Sequence, residues 1–112
     1  YPELAASIVE VDTANWAEPW QILSKRIYDG FEAMAQTVEQ SGGGNAIIVS
    51  HGMTIGTFMW LIDHKQEKVA IDNGSVSVVS YKDNTFSIET IADMSYRHQG
   101  RKILEDIYEE KF

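Results

Sequence analysis

The most constraining feature of this chain is Ser50-His51-Gly52, which stands between two apolar runs. The first run, 46–49, is short, rich in Ile and Val and preceded by glycines, a pattern typical of a buried strand. The second run, 53–62, is longer and begins with small residues, which favours a buried helix. In an open α/β sheet the turn between such a strand and helix lies at the carboxyl edge, where ligands bind. His51 is therefore predicted to face a ligand crevice.

An anion is the ligand that this position favours. The first N–H groups of a helix lack partners within the helix, and they face the same crevice as His51. A histidine there can carry a positive charge near neutral pH, and so can grip phosphate oxygens or transfer a proton. A histidine buried at the strand end and bonded to a neighbouring carbonyl is the structural alternative, and the residues alone leave both open.

Charge and composition narrow the function classes. The chain has 112 residues, enough for one domain or part of one. Its 9 Lys+Arg against 17 Asp+Glu give a net charge of -8, and no basic cluster occurs, so nucleic acid and anionic membrane surfaces are not expected as partners. The chain has no cysteine and no apolar run long enough to span a bilayer. We expect a cytoplasmic protein.

The first part of the chain predicts one long helix. Residues 1–18 show no sustained period and predict a loop or short helical arm, with a turn at Asp12–Asn15. Residues 19–40 predict an amphipathic helix with Pro19 at its first position. Its apolar stripe consists of Trp20, Leu23, Ile27, Phe31, Met34 and Val38. Gly42–Gly44 follow a helix and precede a strand, unlike a phosphate-binding loop, so a left-handed helix cap is predicted there.

The second part predicts a hairpin and a final helix. Residues 63–68 predict a loop, and Asn73-Gly74 predicts a tight turn. The hairpin is expected to span 75–91, with its turn at Lys82-Asp83-Asn84. Alternation with polar residues predicts one covered face, carrying Val76 and Val78 in the first strand and Phe86 and Ile88 in the second.

A C-terminal helix is predicted over residues 100–111. It offers Ile103, Leu104, Ile107 and Tyr108 on one face. A helix this short is marginal in water, so it must dock against another surface to persist.

The residues give less support to a metal site or to a serine nucleophile. His64 and His98 are predicted to be solvated, and no His-x-x-x-His pair occurs, so no metal site is predicted. Ser50 is a candidate nucleophile, but adjacent strand residues point to opposite faces, which places Ser50 and His51 poorly for sharing a proton. The Gly-x-Ser-x-Gly turn of serine hydrolases is also absent.

The order of these motifs resembles a known family. Val49-Ser50-His51-Gly52 between an amphipathic and a buried helix, followed by Asn73-Gly74-Ser75-Val76 at the start of a strand, is similar to the C-terminal half of the histidine phosphatase superfamily, the phosphoglycerate mutase-like proteins. The similarity runs from about Trp16 to Tyr96. It implies an α/β fold, a three-layer open sheet with helices on both faces, of which this chain represents the C-terminal portion.

The resemblance also implies a reaction. In that family two histidines face one phosphoryl group. The nucleophile lies in an upstream Arg-His-Gly motif, and the second histidine, matching His51, stabilises the transferring phosphoryl oxygens. Backbone amides matching Gly52 and Met53 help to hold the phosphate. The implied substrates are small phosphate esters that react through a phosphohistidine intermediate, and no cofactor or metal is implied.

This chain departs from the family pattern at several points. It contains no Arg-His-Gly, and it has no recognisable match to the family's general-acid Glu segment. Tyr96 stands where many members have a histidine, and Met53 replaces a common Gly or Asn. We therefore expect the chain alone to be inactive, and mutase and phosphatase activity both stay open for the parent protein. A non-catalytic α/β binding or regulatory domain, with at most an anion site at His51, is the alternative from another class.

Association with a second copy is a further expectation. The resemblance places the strand that leads to Arg-His-Gly between the strands matching 46–50 and 75–81. Without that strand two sheet edges lack partners, and open apolar edges favour pairing with another chain. We expect homo-oligomers formed through these edges.

Overall fold

The computed structural model describes residues 2–11, 17–68 and 70–111, which belong to two compact units divided after Lys68. The turn expected at Asp12–Asn15 lies outside the described residues. The first unit contains helices α1 (Pro2–Val11), α2 (Trp20–Gln40) and α3 (Gly52–Ile62), followed by a short 3₁₀ helix (His64–Lys68). The second contains strands β1 (Val76–Lys82) and β2 (Thr85–Asp93) and helix α4 (Ser95–Lys111).

Helix α2 ends in a cap that glycine makes possible. Its first residue is Trp20, so Pro19 is the N-cap rather than the first helical residue that we predicted. At the other end Gly42 has φ +99°, and its N–H donates to the Glu39 carbonyl. The N–H of Gly43 donates to the Val38 carbonyl at 3.0 Å. This pair of bonds is a Schellman motif, which needs a left-handed residue after the helix.

The core of the first unit lies where α3 packs on α2. Ile27 of α2 and Phe58 and Met59 of α3 are at most 5% exposed. Phe58 stacks on Phe31 with ring centroids 4.2 Å apart and an interplanar angle of 10°. Two residues further along α3, Trp60 contacts Trp20 edge to face, with ring centroids 5.4 Å apart. Aromatic pairs of this kind add stabilisation beyond the area that they bury.

The strand predicted at residues 46–50 is absent from the structure. This segment has no regular secondary structure, and the side chains of Ile47 and Val49 are 94% and 90% exposed. The physical reason is hydrogen bonding: a strand needs a neighbour for its N–H and C=O groups, and within the described residues β1 and β2 pair only with each other. An apolar sequence alone does not supply that neighbour.

The hairpin of the second unit is antiparallel, and its turn is shorter than predicted. Asp83 and Asn84 alone form the turn, with φ of 53° and 60°. Positive φ at both central residues is the type I′ geometry that matches strand twist. Lys82 belongs to β1, where it pairs with Thr85.

The covered face of the hairpin differs from the prediction for β1. Val76 and Val78 are 37% and 43% exposed, whereas Val79 is half-buried. Val79 pairs with Ile88, and Tyr81 pairs with Phe86, so these four side chains share one face. The register shifts on both sides of Val78 because β2 carries the extra residues, so side chains still alternate along β1. Val76 and Val78 therefore lie on the face opposite Val79, and the pairing with β2 decides that the Val79 face is the covered one.

The Ala92 bulge is supported by a side chain. Ala92 has φ +54°, and its N–H donates to the side-chain hydroxyl of Ser77 in β1 at 3.0 Å. The hydroxyl therefore satisfies a donor that the bulge removes from the ladder. This exchange holds the end of β2 close to β1.

Helix α4 begins at Ser95, five residues before the predicted start at 100. The Asp93 carboxylate accepts a hydrogen bond from the Ser95 N–H at 2.9 Å. It thus satisfies one of the helix's first donors, which is the role of a capping residue. The hydrogen bonds from Ser95, its backbone N–H first, hold the pKa of Asp93 below its usual value.

We predict that Phe58→Ala destabilises the first unit strongly and that Ile47→Ala does not. Removing a buried, stacked ring costs about 3 to 5 kcal/mol. An exposed side chain costs less than about 0.5 kcal/mol. The free energy of unfolding measured by urea denaturation checks both variants. Equal losses would mean that the 46–49 segment is buried in solution.

We also predict that protonation of Asp93 weakens the start of α4. Because the folded-state pKa of Asp93 is lowered, its carboxylate contributes stability above the unfolded-state pKa, and this is lost as pH falls through the folded-state pKa. NMR titration of the carboxyl should give a pKa below that of a free aspartate. Asp93→Asn keeps a capping oxygen without the titration, so it should flatten this part of the acid transition in α4 helicity. An ordinary pKa at Asp93 would contradict the bond to Ser95.

Candidate functional site

The N-terminus of α3 is built around His51. His51 is the N-cap, with an extended backbone (φ −109°, ψ 158°), and its carbonyl accepts the first helical hydrogen bond, from the Ile55 N–H at 2.9 Å. The N–H groups of Gly52, Met53 and Thr54 precede that bond and lie outside the helical ladder. The positive end of the helix dipole coincides with these donors. The site therefore presents three backbone donors beside one imidazole.

Both predicted partners of His51 lie at this helix start. Gly52 is half-buried and Met53 is 39% exposed. The His51 side chain is exposed and makes no hydrogen bond that caps the helix. A histidine buried at a strand end and bonded to a carbonyl, the alternative considered above, is thus not what the structure shows. The imidazole is accessible to a ligand from solvent.

The core holds this helix start in place. Gly56, Thr57, Phe58 and Met59 are buried one turn further along α3. Thr57 is fully buried, and its hydroxyl oxygen has no hydrogen-bond partner among the described residues. No sequence signal distinguishes this threonine from its apolar neighbours. Packing on α2 therefore fixes the direction in which the free N–H groups point.

A second histidine, His64, begins the 3₁₀ helix that follows α3, and its ring contacts α3. The His64 ring stacks on Trp60, with ring centroids 4.0 Å apart and an interplanar angle of 9°. His64 is exposed, as we predicted, but its ring is also held by this stack, which we did not predict. An α-helix of eleven residues is about 16 Å long, so His64 lies far from His51.

Asp63 is the C-cap residue of α3. Its N–H donates to the Met59 carbonyl, and its carboxylate accepts bonds from the Lys65 N–H and the Gln66 amide. The bond from the Lys65 backbone is the main reason why the pKa of Asp63 lies below its usual value, and the Gln66 bond adds to it. Asp63 is thus ionised at neutral pH and bound to its own turn. It is not available as a proton donor.

In the second unit, Arg97 supports the Asn73-Gly74 turn. Its guanidinium donates to the Asn73 carbonyl at 3.2 Å, and Gly74 has φ +78°. A Cβ on Gly74 would lie 3.4 Å from the Arg97 side chain. Sequence reasoning missed Arg97, because the contact joins residues that are 24 positions apart and no local pattern indicates it.

The described residues contain no group of three or more His, Cys, Asp or Glu side chains that could hold a metal ion. Nor, in the part of the chain that the structure covers, does any helix combine the length and apolar character needed to cross a membrane.

Comparison with known proteins identifies the family of this chain. The model of the histidine phosphatase superfamily (branch 1) matches residues 3–94. This chain belongs to the histidine phosphatase superfamily. The match ends just before α4, so it covers α1 to α3 and the hairpin. No curated protein matches the chain.

A solved structure supports the same assignment. The crystal structure of phosphoglycerate mutase from Bacillus anthracis str. Sterne matches with a TM-score of 0.83 and 31% sequence identity. The match covers 89% of this chain and 44% of the mutase chain, so the chain spans less than half of that structure. The predicted α/β fold class and its partial extent are therefore confirmed.

Proposed function

We propose that this segment supplies the second active-site histidine of a phosphoglycerate mutase-like phosphatase that acts on small phosphate esters. The observation that carries the proposal is His51 at the start of α3, exposed and adjacent to the free N–H groups of Gly52 and Met53. Family membership supports a phosphorylated small molecule as the substrate class. The assignment of roles to these three residues is part of the proposal.

The chemistry of phosphoryl transfer fits these groups. Charge on the transferring phosphoryl group is spread over three oxygens, and catalysis consists mainly of positioning and charge stabilisation. A protonated His51 supplies one positive charge, and backbone N–H groups supply fixed donors that need no reorganisation. Gly52 has no side chain to keep an oxygen away from its amide.

The covalent step needs a group that this sequence does not contain. In the proposed reaction an upstream histidine attacks phosphorus, an N–P bond forms, and the ester P–O bond breaks with the electron pair leaving on the alcohol oxygen. Water then attacks the phosphorus of the phosphohistidine, a P–O bond forms, the N–P bond breaks with its electron pair returning to the imidazole, and inorganic phosphate is released. His51 stabilises the phosphoryl oxygens in both steps. Transfer to a second alcohol instead of water would make the parent protein a mutase.

A second candidate is a non-catalytic domain that binds an anion at His51. The observation that favours it is the absence of Arg-His-Gly from all 112 residues. The two candidates share the phosphate site and differ only in turnover. They are separated by experiments that measure turnover and the role of His51 independently.

We predict no phosphatase activity for this chain alone, because no residue in it matches the nucleophilic histidine. The chain should not release phosphate from p-nitrophenyl phosphate or 3-phosphoglycerate above a buffer blank. His51→Ala, purified in parallel, is the control for contaminating enzyme. Turnover that the wild-type chain shows and His51→Ala lacks would contradict the proposed division of roles.

In a polypeptide that joins this segment to an upstream Arg-His-Gly half, we predict that His51→Ala lowers kcat by about 10² to 10³. This is the range observed when one preorganised donor to the transition state is removed. His98→Ala is the matched control, since His98 is exposed on α4, and it should leave kcat unchanged. Steady-state kinetics, with circular dichroism to verify folding, give the result. A near-normal kcat for a folded His51→Ala protein would reject the catalytic role.

A further inference from the structure

The turn before β1 places two groups together that can react with each other. The Ser75 N–H donates to the Asp72 carbonyl at 3.1 Å, which closes a β-turn with Asn73 and Gly74 at its two central positions. Both central residues are exposed, and Gly74 has φ +78°. Among the residues that the structure describes, the Gly74 N–H and the Asn73 side-chain amide have no hydrogen-bond partner. No bond within the folded chain therefore protects either group.

The reaction open to these groups is the formation of a succinimide. The backbone nitrogen of Gly74 loses its proton and attacks the side-chain Cγ of Asn73. A C–N bond forms, the bond from Cγ to the side-chain nitrogen breaks, and ammonia leaves with the proton. Water then opens the ring at either carbonyl, which leaves aspartate or isoaspartate. Glycine suits the attacking position because it has no Cβ to crowd its nitrogen.

A cation lies beside the atom that acquires charge in this reaction. When the Gly74 nitrogen loses its proton, delocalisation within the peptide unit spreads the negative charge onto the Asn73 backbone oxygen. The Arg97 guanidinium donates to that same oxygen at 3.2 Å. A Cβ on Gly74 would lie 3.4 Å from Cδ of Arg97, so this side chain also lies close to the attacking residue. The developing charge therefore meets a cation that is already in place.

We propose that Asn73-Gly74 is a site of spontaneous deamidation and that Arg97 accelerates the reaction. The bond from Arg97 also restrains the turn, and restraint alone would slow the attack. The guanidinium, however, binds a negatively charged oxygen more strongly than the neutral carbonyl of the resting turn. An interaction that strengthens as the reaction proceeds lowers the barrier. The net effect of Arg97 is thus acceleration.

The proposal needs no partner chain. Asn73, Gly74 and Arg97 all belong to the second unit, and the only other reactant is water. His51 lies in the first unit and takes no part. Deamidation and the function proposed for His51 therefore stand or fall separately.

The test follows the loss of Asn73 when the whole chain is incubated in neutral buffer. Mass spectrometry of peptides measures deamidation, and labelling by an isoaspartyl methyltransferase detects isoaspartate. Asn84 is an internal control, because it is also exposed in a turn but is followed by Thr85, whose branched side chain crowds the attacking nitrogen. We expect Asn73 to react faster than Asn84.

Variants of Arg97 test its role. Arg97→Gln should slow the loss of Asn73 about tenfold, less than at a buried oxyanion site because water and salt screen the charge. Arg97→Lys keeps the charge and should retain most of the rate. Arg101→Gln removes another exposed arginine of α4, so it is the matched control and should leave the rate unchanged. Circular dichroism verifies folding, and in urea the wild type and Arg97→Gln should react equally fast.

The sign of the Arg97 effect separates this proposal from a purely structural contact. If Arg97 only restrained the turn, Arg97→Gln would speed deamidation. Four results would overturn the proposal: a rate in Arg97→Gln that is unchanged or higher, equal slowing by Arg101→Gln, slowing by Arg97→Gln that persists in urea, or an Asn73 that reacts no faster than Asn84.

Discussion

The packing of α3 on α2 is the interaction on which the candidate site depends. Phe58 stacks on Phe31, and the neighbouring Thr57 and Met59 are buried in the same interface. This packing sets the axis of α3, and the axis sets where the first N–H groups point. The site itself is made of backbone donors and one exposed imidazole, and the His51 side chain makes no hydrogen bond that caps the helix. The geometry of the site is thus set by the hydrophobic core one turn further along α3.

A second constraint, the pairing of backbone groups, explains the segment before the site. Residues 46–49 have the composition of a buried strand, yet Ile47 and Val49 are exposed. A strand is stable only when its N–H and C=O groups find partners, and the described residues supply none for this segment. The chain spans 44% of the matching mutase structure. A short apolar run of this composition is typical of a strand with neighbours on both sides in a parallel sheet.

In the second unit, local polar groups satisfy backbone donors where the β1–β2 ladder is irregular and where α4 begins. Two register shifts interrupt the ladder between β1 and β2, and the Ser77 hydroxyl accepts a hydrogen bond from the Ala92 N–H at one of them. The Asp93 carboxylate then caps α4 two residues later. The hairpin and the helix are therefore linked through short-range bonds.

Local sequence determined the features that depend on neighbouring residues. Periodicity predicts α2 and α3, the glycines predict the cap after Gln40, and the motif at Ser50-His51-Gly52 predicts a histidine at a helix start. Such features follow from backbone conformation and helical spacing over a few residues. The resemblance to the histidine phosphatases rests on the same motif, which the family match then supports.

Tertiary structure decided the features that depend on distant partners. Whether 46–49 forms a strand depends on neighbours that the local sequence does not specify. The contact of Arg97 with the Asn73 turn and the stack of His64 on Trp60 arise from packing between elements. Which face of β1 is covered depends on its pairing with β2, where Val79 lies opposite Ile88 and Tyr81 opposite Phe86. A local pattern specifies the conformation that a segment prefers, but hydrogen-bond pairing and burial require a partner, and only the folded chain brings partners together.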